Sequence, residues 1–277
     1  MPEKKREIRF SVPSFPTNIR QFFVPVLVVV AVGLAFFSGT LWQKVQNLEK
    51  GGAATQGATT QTAPAAAPAA SLDTIKGLFS KDLIKFGDAS RKVLFVEMAD
   101  PSCPYCHAAD GLNHAIYKSL GSTFQLVADG GSYVSPTAEM RKLVDSGQAS
   151  YVYIYYPGHG NGQLGMEALY CANEQGKFWQ VHDLLMTDAG YNLMNTTVLN
   201  DKSKASVVGD FLKSVIDPNF ITSCITSGKY DARLQSDQDL ATSLGIQGTP
   251  DFYVNATNFP GAYNYTDIKS TVDSALK

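Results

Sequence analysis

The chain is expected to fold as an α/β domain whose sheet is interrupted by a block of helices. Three observations predict this. An apolar run, Val93–Ala99, leads directly into Cys103-Pro104-Tyr105-Cys106 and then into a helical pattern. Apolar strand-like runs lie towards both ends of the globular part, with helical periodicity between them. A charge-free apolar stretch and a low-complexity stretch lie within the first 71 residues, so the folded part is expected to begin near Leu72.

The elements follow in chain order. Residues 1–21 form a basic N-terminus carrying Lys4, Lys5, Arg6, Arg9 and Arg20. Phe22–Trp42 is nearly all apolar and uncharged. As a helix it would be roughly 31 Å long, enough to cross a bilayer core. Pro25 falls near its start, where a helix tolerates it, and Trp42 stands where an interfacial aromatic belongs. Only Lys44 and Lys50 follow closely, so the positive-inside rule puts the N-terminus in the cytoplasm and the remainder outside. The expectation is a single-pass anchor in the cytoplasmic membrane with an extracytoplasmic domain. The competing reading is a cleaved signal peptide. The run is longer than such a peptide's apolar region, and no A-x-A-like site follows closely. Either way the cysteines reach an oxidising compartment.

Residues 43–71 read as a linker. Within it Gly51–Ser71 holds Ala, Thr, Gln, Gly and Pro with no charge and no large apolar residue, and so lacks the material of a core. A flexible chain of that length reaches roughly 25 Å.

Residues 72–277 form the globular domain. Leu72–Leu78 is expected as a short helix, Leu83–Phe86 as an edge strand, Val93–Ala99 as the central strand and Ala108–Leu120 as the next helix. A second apolar strand is expected at Tyr151–Tyr156. Helical regions are expected over Leu164–Met186, Ala205–Ile216 and, as a pair, Phe220–Leu244. Strands near Phe252–Asn255 and Pro260–Ala262 and a helix over Thr266–Leu276 close the chain.

The CxxC segment carries the chemistry. At a strand-to-helix junction its first sulfur lies over unpaired backbone N–H groups and the positive end of the helix dipole. That position lowers a thiol pKa and makes a reactive thiolate. Pro104 suits the first turn, where its missing N–H costs nothing. The spacing lets the sulfurs close or open a small ring, which is thiol–disulfide exchange. The alternative is half of a zinc site, but Cys171 and Cys224 stand alone, without a second Cys or His pair. No metal and no cofactor are expected. A net charge of −2 gives no sign of nucleic-acid binding.

Three segments together carry a family resemblance: Phe95–His107 (FVEMADPSCPYCH), Ala168–Leu185 (ALYCANEQGKFWQVHDLL) and Leu244–Asn255 (LGIQGTPDFYVN). From about Leu83 to the C-terminus the chain resembles the DsbA-like thiol:disulfide oxidoreductases, in their membrane-anchored bacterial form. The resemblance implies a thioredoxin-like fold with an inserted helical domain, about residues 135–240, interrupted by the strand at 151–156. It makes Cys103 the low-pKa nucleophile, at the exposed end of the turn, and Cys106 the less accessible resolving thiol. Glu97 is then a buried acid beneath the site, able to exchange a proton with Cys106; the alternative is a strand residue facing solvent. Thr249-Pro250 matches the family's cis-proline loop, whose backbone pairs with an extended substrate. Pro104-Tyr105 departs from the Pro-His of the strongest oxidants and puts oxidising strength in question. His107 either adds positive charge or is a first-turn polar residue without a redox role. Cys171 and Cys224 lie on different predicted helices and, with the CxxC closed, have only each other. A structural disulfide is expected, against two buried free thiols. His182 reads as a packing residue, His159 as part of a glycine-rich turn, and the N-x-T sequons at Asn195, Asn255 and Asn264 as chance.

The implied activity is disulfide formation in exported proteins. The implied partners are exported protein or peptide thiols and a membrane quinone-linked protein, DsbB-like or of the vitamin K epoxide reductase type. Two rivals remain: an extracytoplasmic reductase or isomerase, and a thioredoxin-fold chaperone or binding module that keeps the CxxC only for structure.

Overall fold

The computed structural model describes residues 70–277. The expected membrane span at 22–42 and nearly all of the linker lie outside the described residues. Among the described residues no helix is long and apolar enough to cross a membrane.

A five-stranded mixed sheet organises the domain. Its strands are β1 (Ile84–Phe86), β2 (Val93–Ala99), β3 (Ala149–Tyr155), β4 (Asp251–Val254) and β5 (Thr257–Pro260). Their order across the sheet is β1-β3-β2-β4-β5. β2 pairs parallel with β3 and antiparallel with β4, so it is central as expected, and β1 lies at an edge. Both β2 and β3 are buried at every position, which fits their nearly continuous apolar sequence.

Residue parity divides the sheet into two faces. Leu94, Val96, Met98, Val152 and Ile154 meet Ile75 and Leu78 of α1 (Leu72–Leu78) and Ala241 of α10 (Asp231–Ser243). Val93, Phe95, Ala99, Tyr151 and Tyr153 face the other way. There they join Cys106 and Ala109 of α2 (Pro104–Asp110), Met140 and Val144 of α4 (Pro136–Asp145), and Ile268 and Val272 of α11 (Tyr265–Leu276). Each fully buried large apolar side chain in these layers is worth about 1.5–3 kcal/mol.

The helix expected over Ala108–Leu120 is two helices, α2 and the short α3 (Tyr117–Leu120). Gly111 ends α2 with φ 71°, in the left-handed region. A Cβ there would stand 2.7 Å from Ser135 Cβ, so the close approach of α4's cap also requires glycine. The helical region expected over Leu164–Met186 is likewise two helices, α5 (Gln163–Glu174) and α6 (Phe178–Leu185), broken where Lys177 N–H turns back to Ala172 C=O. α7 (Asp188–Asn192) runs into a π-helical turn at Leu193–Val198 that the sequence reading did not foresee. α8 (Ala205–Leu212) stops four residues before the expected Ile216, and α9 (Pro218–Thr226) precedes α10. β5 lies earlier than expected, at Thr257–Pro260.

The helices between β3 and β4 run from α5 to α10. α4, which the sequence reading grouped with the insertion, instead lies in the β2–β3 connection and packs on β3. Cys171 of α5 and Cys224 of α9 form a disulfide across the helical block. Asp237 of α10 anchors the block to the sheet: it accepts from Arg233 Nε (2.6 Å), Tyr170 OH (2.7 Å) and Tyr155 N–H (3.3 Å).

Candidate active site

Cys103 is the N-cap of α2, with extended backbone (φ −78°, ψ 122°), and Pro104 takes the first helical turn. The preceding loop is tied down from beneath. Cys103 N–H donates to Asp100 C=O at 2.9 Å. The buried Asp100 carboxylate accepts from Ser102 N–H and Oγ at 2.8 and 2.7 Å, and from the His159 and Gly160 N–H groups at 2.8 and 3.3 Å. Asn195, on the π-helical turn, donates to Ser102 C=O at 3.0 Å. Asp100 and Ser102 were not singled out from sequence, although an Asp two residues before a Ser is a recognisable turn pattern. His159 sits in the glycine-rich turn as read, but its backbone serves the site.

The peptide bond between Thr249 and Pro250 is cis. The Cys103 thiol donates to Thr249 C=O at 3.3 Å, so this loop covers the sulfur. Cys103 is therefore only 3% exposed, against 0% for Cys106. The expected exposed nucleophile is in fact nearly covered, because the Thr249 loop closes over the turn. Gly158 lies against the same loop: a Cβ there would fall 1.7 Å from Thr249 Oγ1, which only glycine avoids.

The two thiols have opposite acidities. A hydrogen bond with Cys106 lowers the Cys103 pKa to about 7 against the cost of burial, helped by Thr249 and by the backbone N–H groups of Tyr105 and Cys106. Burial, reinforced by its hydrogen bond with Cys103 and that neighbour's charge, holds Cys106 well above the ordinary thiol value. A thiolate at Cys103 beside a protonated thiol at Cys106 is the arrangement thiol–disulfide exchange requires.

His107 is buried, with Nδ1 2.9 Å from Met186 O and Nε2 2.9 Å from Pro101 O. Burial pulls its pKa below the ordinary histidine value against those two carbonyls. It pins α2 between the CxxC loop and the end of α6. Tyr105 is 44% exposed, with its ring edge-on to Phe124 at 5.5 Å.

Glu97 is fully buried, on the β2 face that carries Phe95 and lies beneath Cys106. Thr137 donates to its Oε2 at 3.1 Å, and so does the Tyr151 hydroxyl. Burial first, then the Asp110 carboxylate, raises its pKa to about 8, although these hydrogen bonds and His182 oppose the rise. Asp110 is four residues past Cys106 on the same helix. The sequence reading missed it, although that spacing puts both side chains on one face. His182 packs on Phe178, Trp179 and Tyr153 as read, but its Nε2 also lies 3.3 Å from Asp110 Oδ1. Burial opposes charge on His182, yet Asp110 and then Asp183 outweigh it and push its pKa up to about 10.

Cys171 and Cys224 are bonded to each other and so are not available as further ligands beside the CxxC. Among the described residues no group of His, Cys, Asp or Glu is placed to hold a metal ion.

The chain is 26% identical over 193 residues to the Na(+)/H(+) antiporter NhaA 1 of Salinispora arenicola, covering 69% of this chain and 24% of the antiporter. It thus spans about a quarter of the length of that relative. It is 22% identical over 198 residues to disulfide bond formation protein D of Bacillus subtilis, covering 69% of this chain and 76% of that protein. Among solved structures, oxidised BdbD of Bacillus subtilis superposes with a TM-score of 0.50 at 19% identity, over 70% of this chain and 92% of that one. Alpha-DsbA1 of Wolbachia pipientis gives 0.50 at 17% identity, over 70% and 91%. These likenesses show a shared thioredoxin-like fold of DsbA type. A family model described as Thioredoxin matches residues 135–274. The match holds the Thr249-Pro250 loop but not the CxxC, and because it spans half of the chain, this protein belongs to the thioredoxin family.

Proposed function

We propose that the chain is a thiol:disulfide oxidoreductase, tethered by residues 22–42 to the cytoplasmic membrane, that forms disulfides in exported proteins. The observation that carries the chemistry is the pairing of a Cys103 thiol of pKa about 7 with a buried, high-pKa Cys106 across one helical turn. Relatives of the thiol:disulfide oxidoreductase kind support an oxidoreductase enzyme. A substrate thiolate attacks Cys103 Sγ of the closed disulfide. The Cys103–Cys106 bond breaks, a mixed disulfide forms, and Cys106 leaves as a thiolate that takes a proton. A second substrate thiolate then attacks the substrate sulfur. The product disulfide forms, and Cys103 leaves as a thiolate, so the enzyme carries away two electrons. Glu97 is the proton donor to Cys106, and the Thr249 backbone pairs with the extended substrate. A membrane quinone-linked protein, DsbB-like or of the vitamin K epoxide reductase type, reoxidises the dithiol.

A reductase or isomerase reading has specific support. A thiol pKa near 7 matches thioredoxin rather than the value near 3.5 of the strong oxidant DsbA, and Tyr105 replaces the histidine of such oxidants. The deciding measurement is the reduction potential of Cys103/Cys106 in the full chain, equilibrated against glutathione, with Cys171 and Cys224 followed separately by mass. A value near about −120 mV makes the chain a disulfide donor. A value near about −270 mV sinks that reading and makes it a reductase. For the tether, a membrane-impermeant maleimide should label Cys103 in intact cells after reduction; labelling only after lysis would place the domain inside.

A further inference from the structure

We propose that Asp110 and His182 are positioning residues that control the proton on Glu97, and that the cleft they line is its route to solvent. The inference rests on the oxidoreductase reading above and deepens it.

Glu97, Asp110 and His182 are each no more than 3% exposed. Asp110 has no hydrogen-bond partner for either oxygen among the described residues, and Glu97 Oε1 has none. Such a cluster is costly to bury unless charges compensate. Within the cluster Asp110 meets His182 at 3.3 Å, and His182 also meets Asp183 at 3.3 Å. On one side the Asp110–His182 pair is coupled to Glu97 by charge. On the other it lines a cleft of about 310 Å³ with Thr137, Arg141, Trp179 and Asp183. Thr137 belongs to both, because its hydroxyl donates to Glu97 while its side chain lines the cleft. Arg141, one-third exposed, pairs with Asp183 at 2.8 Å and marks the solvent side. The space is ample for several water molecules.

Other titratable groups around Glu97 do not offer the same route. From β3, Tyr151 and Tyr153 are held neutral by burial. From α2, Cys106 is the partner in the proton transfer, and burial favours the neutral form of His107. Tyr133, ahead of α4, is also held neutral by burial. From α6, Asp183 lies beyond His182, which its Oδ1 meets at 3.3 Å.

The two positioning residues pull in opposite directions. The Asp110 carboxylate keeps Glu97 protonated at rest, ready to donate when Cys106 leaves as a thiolate. Once Glu97 has given up its proton, the His182 imidazolium prevents two unscreened anions from facing each other in the core. The proton is then restored past Thr137 from the cleft.

The test is the pH dependence of dithiol–disulfide exchange with glutathione in the full chain, by stopped flow. The wild-type rate should show an inflection near pH 8 that Glu97→Gln abolishes. Asp110→Asn should move it down and His182→Gln should move it up, each by about one unit or more, a tenfold change in proton affinity. Opposite shifts from two members of one contact are not what a purely structural role produces. Shifts in the same direction, or none, overturn the proposal. So does a wild-type His182 that titrates near 6 by nitrogen NMR, a measurement that needs no variant to fold. Absence of any exchange in the wild type overturns instead the oxidoreductase reading on which the proposal rests.

Discussion

At the scale of the residue, the decisive quantity is the difference in acidity between two thiols three positions apart. Cys103 sits over free N–H groups at the helix start, and Cys106 is sealed beneath them. Iodoacetamide should therefore modify Cys103 of the reduced chain with a rate that rises through pH 7, while Cys106 stays unmodified up to pH 9; peptide mapping by mass reads both. Thr249→Val removes a hydroxyl that favours the thiolate and should shift that profile upward by about half a unit to one unit. A profile centred near 9 in the wild type would contradict the helix-terminus account. The position of the pair at a strand-to-helix junction was legible in the sequence, because the CxxC directly follows an apolar strand-like run. Asp110 and His182 were not, because their charges matter only once α2 and α6 are packed together.

At the scale of the element, short helices are held by termination signals and by ties to the sheet. α2 ends at Gly111, which combines a left-handed backbone with close contact to the cap of α4. Gly111→Ala should destabilise the domain by about 1–3 kcal/mol, seen as a lower urea midpoint. The disulfide joins α5 to α9 over a sequence separation of 53. Replacing both of its cysteines with alanine should cost about 4 kcal/mol in the chain-entropy description. It should leave Cys103 alkylation unchanged, because the pair is remote from α2 in the chain. An altered alkylation profile would mean that the helical block shapes the site more directly. Strands β1 to β4 were well read from apolar runs, whereas β5 was placed too late. Helix ends were read poorly, because Gly111 and Gly176 break patterns whose apolar periodicity continues beyond them.

At the scale of the whole molecule, the buried ionisable cluster sets how stability varies with pH. Glu97 binds its proton more tightly folded, with its pKa raised from 4.5 to about 8. The stability it contributes is complete below about 4.5 and is lost as pH rises through 8. His182, raised from 6.5 to about 10, acts in the same sense: its contribution is complete below about 6.5 and is lost as pH rises through 10. The domain should therefore weaken steadily from pH 5 to pH 10. Glu97→Gln should flatten the lower part of that decline, which amounts to a few kcal/mol at about 1.4 kcal/mol per unit, and leave the upper part. Urea unfolding across pH checks both, and equal slopes in the two proteins would place the effect elsewhere.

The sequence by itself determined the strand–CxxC–helix unit, the central strand, the Thr249-Pro250 segment and the mixed α/β class. The first two and the class rest on local chemistry, apolar runs and spacing, and the Thr249-Pro250 segment on the family resemblance. Only the tertiary structure decided that α4 belongs to the sheet layer, that the Thr249 loop covers Cys103, that His107 is buried between two carbonyls, and that Asp110 meets His182 beside Glu97. The contacts to Thr249, Met186 and His182 join segments from about 70 to 150 residues apart in the chain, formed as helices from both sides of β3 close over one face of the sheet. No local pattern specifies which charges that packing brings together.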